Sequence, residues 1–287
     1  MQSLLLPHKN VIQRNYPMLL PLLFLLLCSF LKISAQDNLL ITPKRVVFDG
    51  SKRSFALNLA NIGNDTALYE ISLIHTRMTD DGSFEKIEKD DSSHNFADNN
   101  LRFYPHNVVL APNSSQSVRI QITKWDELNT GEYRSNLYFR AIPSVKSFEE
   151  KITHKDSGIS IKMVPIFGIS MPIIIQKGES SAKVSFSNAS LQMEKDTMPI
   201  FKTTLNRTGN MSVYGDISVD YISIQGKIIR VGLMKGLAVY TPNAIRNLSF
   251  KLNNISGVNY HSGKLHVLFS EQSVKATKLA ETEIALQ

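Results

Sequence analysis

The sequence predicts an all-β fold: two β-sandwiches in tandem behind a leader segment. Three observations carry this. Apolar residues recur every second position in many short runs, helical spacing is nowhere sustained, and turn residues separate the runs at short intervals. Period two places one face of each strand in a core and the other toward water, the pattern of antiparallel sheets. Several such strands at regular spacing favour a sandwich.

The leader comes first. Residues 19–31 are almost continuously apolar, basic Lys9 and Arg14 precede them, and Ile33-Ser34-Ala35 follows. A positive start, an apolar middle and small residues at the end form a secretory signal. The run is shorter than the roughly 20 residues a membrane-spanning helix needs. The expectation is a signal peptide over 1–35, cleaved after Ala35, with export and no stable membrane insertion; the alternatives are an uncleaved anchor and a lipid on Cys28. Cys28, the only cysteine, lies within it, so the exported chain is expected to form no disulfide and to hold no cysteine nucleophile.

The first sandwich is expected over 36–177. Phe55, Leu57 and Leu59 alternate in one run, and Leu68, Ile71 and Leu73 mark the next. Val108-Val109-Leu110 leads into the turn Ala111-Pro112-Asn113. Val118, Ile120 and Ile122 alternate with Arg119, Gln121 and Thr123, and a strand over 133–139 follows the turn Asn129-Thr130-Gly131. Lys177-Gly178 opens a short linker, which implies a defined angle between the sandwiches. The second is expected over 178–287, with strands at 182–186, 200–205, 213–222, 227–231, 248–252, 265–269 and 282–286. The polar stretches 90–100 and 144–158 read as solvated loops.

Residues 159–175 stand apart. Ile159, Ile161, Met163, Pro165, Phe167, Ile169, Met171, Ile173 and Ile175 occupy the odd positions, while Ser160, Lys162, Gly168 and Ser170 fall between them. The alternation outruns a typical strand of about five or six residues. One reading is a strand burying a face in its own sandwich. Pro165 and Pro172 cannot donate ladder hydrogen bonds and point to a sheet edge or a bulge. A long apolar edge is an aggregation hazard unless it pairs with another chain by strand addition. Self-association in a capping dimer is one way to cover it.

Charge and motif narrow the function further. The formal net charge is +7 over 287 residues, and Lys9, Arg14 and Lys32 of the leader contribute to it. The mild remainder, with no basic cluster interleaved with aromatics, argues against nucleic-acid binding. There is no HExxH run, no glycine-rich phosphate loop and no GxSxG turn. Asp80-Asp81 and Asp90-Asp91 lack the calcium-loop pattern. No enzyme, metal or cofactor is expected.

Several segments over residues 39–176 resemble the PapD-like periplasmic pilus chaperones. The run from Ile41-Thr42-Pro43-Lys44-Arg45-Val46 to Asp49-Gly50 is similar to their first strand and its closing turn. A strand ending at Asn61-Ile62-Gly63-Asn64 follows at the family's distance. Phe103-Tyr104-Pro105 and Leu110-Ala111-Pro112 resemble the next hairpin's segments, and Tyr133-Arg134-Ser135-Asn136-Leu137-Tyr138-Phe139-Arg140 resembles the sixth strand. Beyond 178 the likeness is one of length, position and strand content alone.

The resemblance implies two immunoglobulin-like sandwiches with a cleft between them, working in the periplasm without enzymatic activity. The last strand of the first sandwich lends alternating apolar residues to a pilin-like fibre subunit lacking its own final strand, and the chaperone delivers that subunit to an outer-membrane usher. Phe167, Ile169, Met171 and Ile173 match the donor positions. Arg45 matches a cleft arginine that holds the subunit's terminal carboxylate, a task suited to a guanidinium. The lysine that accompanies it in the family is missing, since Ile169-Ser170-Met171-Pro172-Ile173 contains no cation. Lys162 or Arg134 is the candidate substitute. The alternative is a secreted structural or adhesive surface protein built from the same two sandwiches.

Overall fold

A computed structural model describes residues 39–87, 94–143, 166–195, 197–272 and 276–286. The leader at 1–35, the front of the alternating run at 159–165, Lys162 and the pair Asp90-Asp91 lie outside the described residues.

Among the described residues eleven strands precede the second sandwich, nine of them in the two sheets of the first. In chain order they are β1 (Leu39–Thr42), β2 (Val46–Phe48), β3 (Ser54–Asn61), β4 (Ala67–Ile74), β5 (Thr76–Met78), β6 (Phe84–Lys86), β7 (Leu101–Tyr104), β8 (Asn107–Leu110), β9 (Ser115–Ile122), β10 (Gly131–Ile142) and β11 (Gly168–Lys177). One sheet has the order β1-β3-β9-β7 and the other β2-β11-β10-β4-β8, while β5 and β6 form a separate hairpin. The alternation explains the core. Leu57 and Leu59 of β3, Val118 and Ile120 of β9, and Leu137 and Phe139 of β10 are all buried in one cluster between the sheets. Asn61 ends β3 from inside. Its Nδ2 donates to the carbonyls of Asp65 at 2.7 Å and Leu110 at 3.0 Å, and its Oδ1 accepts from Gly63 N–H at 2.9 Å. With a further bond from Nδ2 to the Ala111 carbonyl at 3.3 Å, this buried amide has four partners and fixes both flanking turns.

Seven strands follow: β12 (Lys183–Glu194), β13 (Met198–Thr208), β14 (Val213–Ile222), β15 (Ile228–Val239), β16 (Ile245–Lys251), β17 (Lys264–Ser270) and β18 (Lys278–Ala285). Their sheets run β12-β13-β16 and β15-β14-β17-β18. Phe201 and Leu205 from the first face Ile217, Val219, Val267 and Phe269 from the second. Gly178 turns the chain between the sandwiches at φ +81°, where a Cβ would lie 2.6 Å from Thr130. Asn210 then fastens the connection, accepting from Ser181 N–H at 2.8 Å and donating to the Glu179 carbonyl at 2.9 Å.

The observed strands extend beyond several expected runs. β12 continues to Glu194 and β15 to Val239, because each bends at a register irregularity, between Ser187 and Ser190 in β12 and opposite β14 for β15. A bulge moves the alternation to the other face, so a strict period-two reading stops there. The β5–β6 hairpin was not expected, since its three-residue strands are too short to show a period.

Two outcomes test this packing. Asn61→Ala should lower unfolding free energy by about 1–3 kcal/mol, because it strands buried carbonyls, and a denaturant titration reads it. Burial pushes the Tyr260 hydroxyl, which donates to the Asn253 carbonyl at 2.7 Å, up to about 12. A raised folded value means that its contribution is complete below the unfolded tyrosine value of about 10 and fades as pH climbs through the folded one. Thermal melts between pH 9 and 12 should show stability falling, and Tyr260→Phe should make the fall shallower.

Candidate functional site: the edge of β11 and the cleft beside it

β11 pairs antiparallel with β10 along its length, from Gly131↔Lys177 to Arg140↔Gly168. On its other side β2 pairs with it in parallel, and only at Ile173, Ile174 and Ile175. Among the described residues no strand covers that side between Gly168 and Pro172. The hydrogen-bond phase follows from one contact. Ala141 N–H donates to the Phe167 carbonyl at 2.9 Å, so odd residues of β11 turn their backbone groups toward β10 and even residues turn theirs outward. Gly168 and Ser170 therefore present N–H and C=O to the open side. Pro172 has its missing donor there, where no ladder bond is lost.

The side chains divide just as sharply. Met171 and Ile173 are 2% and 0% exposed and fill the first sandwich's own core. Ile169 packs half-buried against that core, and Phe167 is 57% exposed. The alternation at 169–175 thus serves the home sandwich, and Phe167 is the residue of the four whose side chain is open. The ambiguity lay in the period itself, which marks a home-buried face and a donated one alike.

The opposite face of β10 and β11 meets the second sandwich. Ile174 joins Met78, Ala238 and Tyr240 in a small buried cluster. Beside it Glu132, 3% exposed, gathers both sandwiches. Its carboxylate accepts from Ser212 N–H at 2.9 Å, Thr241 Oγ1 at 3.0 Å and Gln176 Nε2 at 3.0 Å, and also from Ser212 Oγ. The β5–β6 hairpin reaches across too: Asn243 Nδ2 donates to the Met78 carbonyl at 2.8 Å, and Asn247 N–H donates to that of Asp80.

Arg45 sits just before β2, where β2 stops covering β11. Its guanidinium lies 4.1 Å over the Tyr214 ring of the second sandwich, and its buried Nε has no hydrogen-bond partner. It lines a cavity of about 660 Å³ between the sandwiches, with Ser170 and Pro172 of β11, Asn136, Tyr240 and Lys235. Arg134 is buried and engaged otherwise. It donates to the Thr76 carbonyl at 2.8 Å and lies 4.9 Å over Tyr240, and burial pushes its guanidinium below its ordinary value against the opposing influence of Tyr240 and Glu132. Burial also raises the Tyr240 hydroxyl, against the opposing charges of Arg45 and Arg134. Sequence reasoning missed Glu132, Tyr214, Tyr240 and Lys235. The available signal was on β10, where Glu132, Arg134 and Asn136 put three polar residues on one face, and all three are buried.

Among the described residues no group of three or more His, Cys, Asp or Glu could hold a metal ion, and no helix is long and apolar enough to cross a membrane. No protein-family model and no curated protein matches the chain. Solved structures to which it is similar include the YadV chaperone, at 12% identity over 87% of this chain and 100% of that one, with a TM-score of 0.43. The CupB2 chaperone of Pseudomonas aeruginosa is similar at 14% identity over 86% and 100%, with a TM-score of 0.42. A third is the Salmonella enterica SafA pilin in complex with the SafB chaperone, at 13% identity over 88% and 97%, with a TM-score of 0.41.

The buried carboxylate makes a prediction. Glu132→Ala should leave Ser212 and Thr241 without their acceptor and weaken docking of the sandwiches by about 3 kcal/mol. Hydrogen exchange should rise at residues 174–176 and 238–241 before the two cores open.

Proposed function

We propose that this chain is a periplasmic chaperone that caps pilin-like subunits of a surface fibre by lending them the edge of β11, and that it passes them to an outer-membrane usher for assembly. The observation that carries the reading is the open side of β11 between Gly168 and Pro172, ending at a cation-lined cavity. An unpaired, partly apolar edge suits strand addition, and the sequence resemblance supplies the class of client and the compartment.

Direction follows from the geometry. β2 occupies the edge from Ile173 onward, so a segment laid along 168–172 runs end-on into Arg45. A segment parallel to β11 brings its C-terminal carboxylate there, and an antiparallel one brings its terminal ammonium. A guanidinium favours the carboxylate and repels the ammonium. Main-chain bonds to Gly168 and Ser170 set the register. Phe167 covers the subunit's exposed core, contributing about 1.5–3 kcal/mol on full burial, and Ile169, already half-buried at home, adds less. Met171 and Ile173 anchor the strand at home, so the donated surface is the front of β11 and the residues leading into it.

Ser170→Pro tests this directly, since it removes an outward N–H and leaves the β10 ladder intact. Tagged wild-type protein should retain a small β-rich secreted subunit from the periplasm. Ser170→Pro, which also removes the Oγ that accepts from Asn136 Nδ2 at 2.9 Å, and Phe167→Asp should lose it while remaining folded, and Arg45→Ala should weaken retention at least about tenfold. Retention of the subunit by folded Ser170→Pro and Phe167→Asp would overturn the proposal and favour the structural surface protein.

A further inference from the structure

The cavity at the end of the open edge carries more positive charge than one carboxylate uses. Lys44 and Arg45 come from the approach to β2, Lys86 from β6, Lys235 from β15 and Arg246 from β16, and among the described residues no acidic one shares the lining. Among the described residues none of the five forms an ion pair. Asp81 acts on Arg246 electrostatically from outside the lining. Glu271 lines the outer mouth, a neighbouring space that Lys44, Arg45 and Lys235 also border. The Nε atoms of Arg45 and Arg246 are both buried and without a hydrogen-bond partner.

Like charges held together in a concave site raise the local potential and attract anions. Here the cluster is assembled from both sandwiches and the β5–β6 hairpin, and the Glu132 and Ile174 contacts hold those parts in place. The same cavity is bordered by Ser170 and Pro172, so its anion arrives on the chain that pairs with β11. We infer that the cavity selects a segment whose C-terminal end carries acidic side chains beside its terminal carboxylate. Arg45 meets the carboxylate, while Lys86, Lys235 and Arg246 meet Asp or Glu side chains of the last residues. This inference rests on the strand-capture reading and adds a sequence preference to it: acidic ends are taken ahead of neutral ones.

Two fluorescein-labelled probes separate the claims. Both are alternating Thr-Val peptides with a free C-terminus, one ending in Asp-Asp-Asp and the other in Asn-Asn-Asn. By fluorescence anisotropy the wild-type chain should bind the Asp peptide at least about tenfold more tightly, with the advantage shrinking as salt is raised. The double variant Lys86→Gln/Lys235→Gln, both exposed positions, should lose most of that advantage, Arg246 keeping the remainder, and melt like wild type. Equal binding by wild type, or an advantage undiminished in the double variant, overturns the acidic preference and leaves strand capture standing. Failure of both peptides to bind overturns both. Displacement of the Asp peptide by inorganic phosphate at comparable concentration would mark a small-anion site and overturns the peptide assignment.

Discussion

Ile174 and Glu132 project from one face of the five-stranded sheet into the second sandwich, and the cleft exists in its present form because that face is covered. Ile174 supplies the apolar contact with Met78, Ala238 and Tyr240. Glu132 supplies a buried carboxylate whose hydrogen bonds reach Ser212 and Thr241 across the boundary. A buried charge is tolerated only when its hydrogen-bonding capacity is met, so this network favours one relative placement of the two sandwiches. Arg45 over Tyr214, and Lys235 beside the same cavity, follow from that placement.

β11 is consequently used on three sides. Its odd side chains fill the first core, its even side chains include Ile174 at the interface, and its backbone bonds β10. What remains is the outward row at Gly168, Ser170 and Pro172. Isolated edges of this kind invite uncontrolled pairing. Two features restrict this one: it is short, and β2 closes it at Ile173 next to Arg45 and its neighbouring cations. On the proposed reading, an incoming strand is limited in length and direction, and the charge at its end is a criterion for acceptance.

Much of this was legible in the sequence. Strand β14 was read to its full extent from the run Val213 to Ile222, and Pro172, read as a sign of an edge or a bulge, lies where β2 does not cover β11. The fate of Met171 and Ile173 was not legible, because alternation records that a face is buried and says nothing of which chain buries it. The cation cluster was invisible for a different reason: Lys86, Lys235 and Arg246 are distant in sequence and meet only through the docking of the two sandwiches. The absent lysine of the resemblance drew attention to β11, whereas the cavity draws its additional positive charge from β6, β15 and β16. Glu132 lies just before the strand expected at 133–139, and with its same-face neighbours Arg134 and Asn136 it carried a hint of docking that the expected bounds left out.

Amide hydrogen exchange on a purified complex with a captured subunit, compared with the free chain, tests the central claim most directly. The outward N–H groups of Gly168 and Ser170 should exchange quickly in the free chain and become strongly protected in the complex, because each gains a main-chain partner. Fast exchange at both positions in a saturated complex would mean that the subunit binds elsewhere, and would contradict capture at the edge of β11.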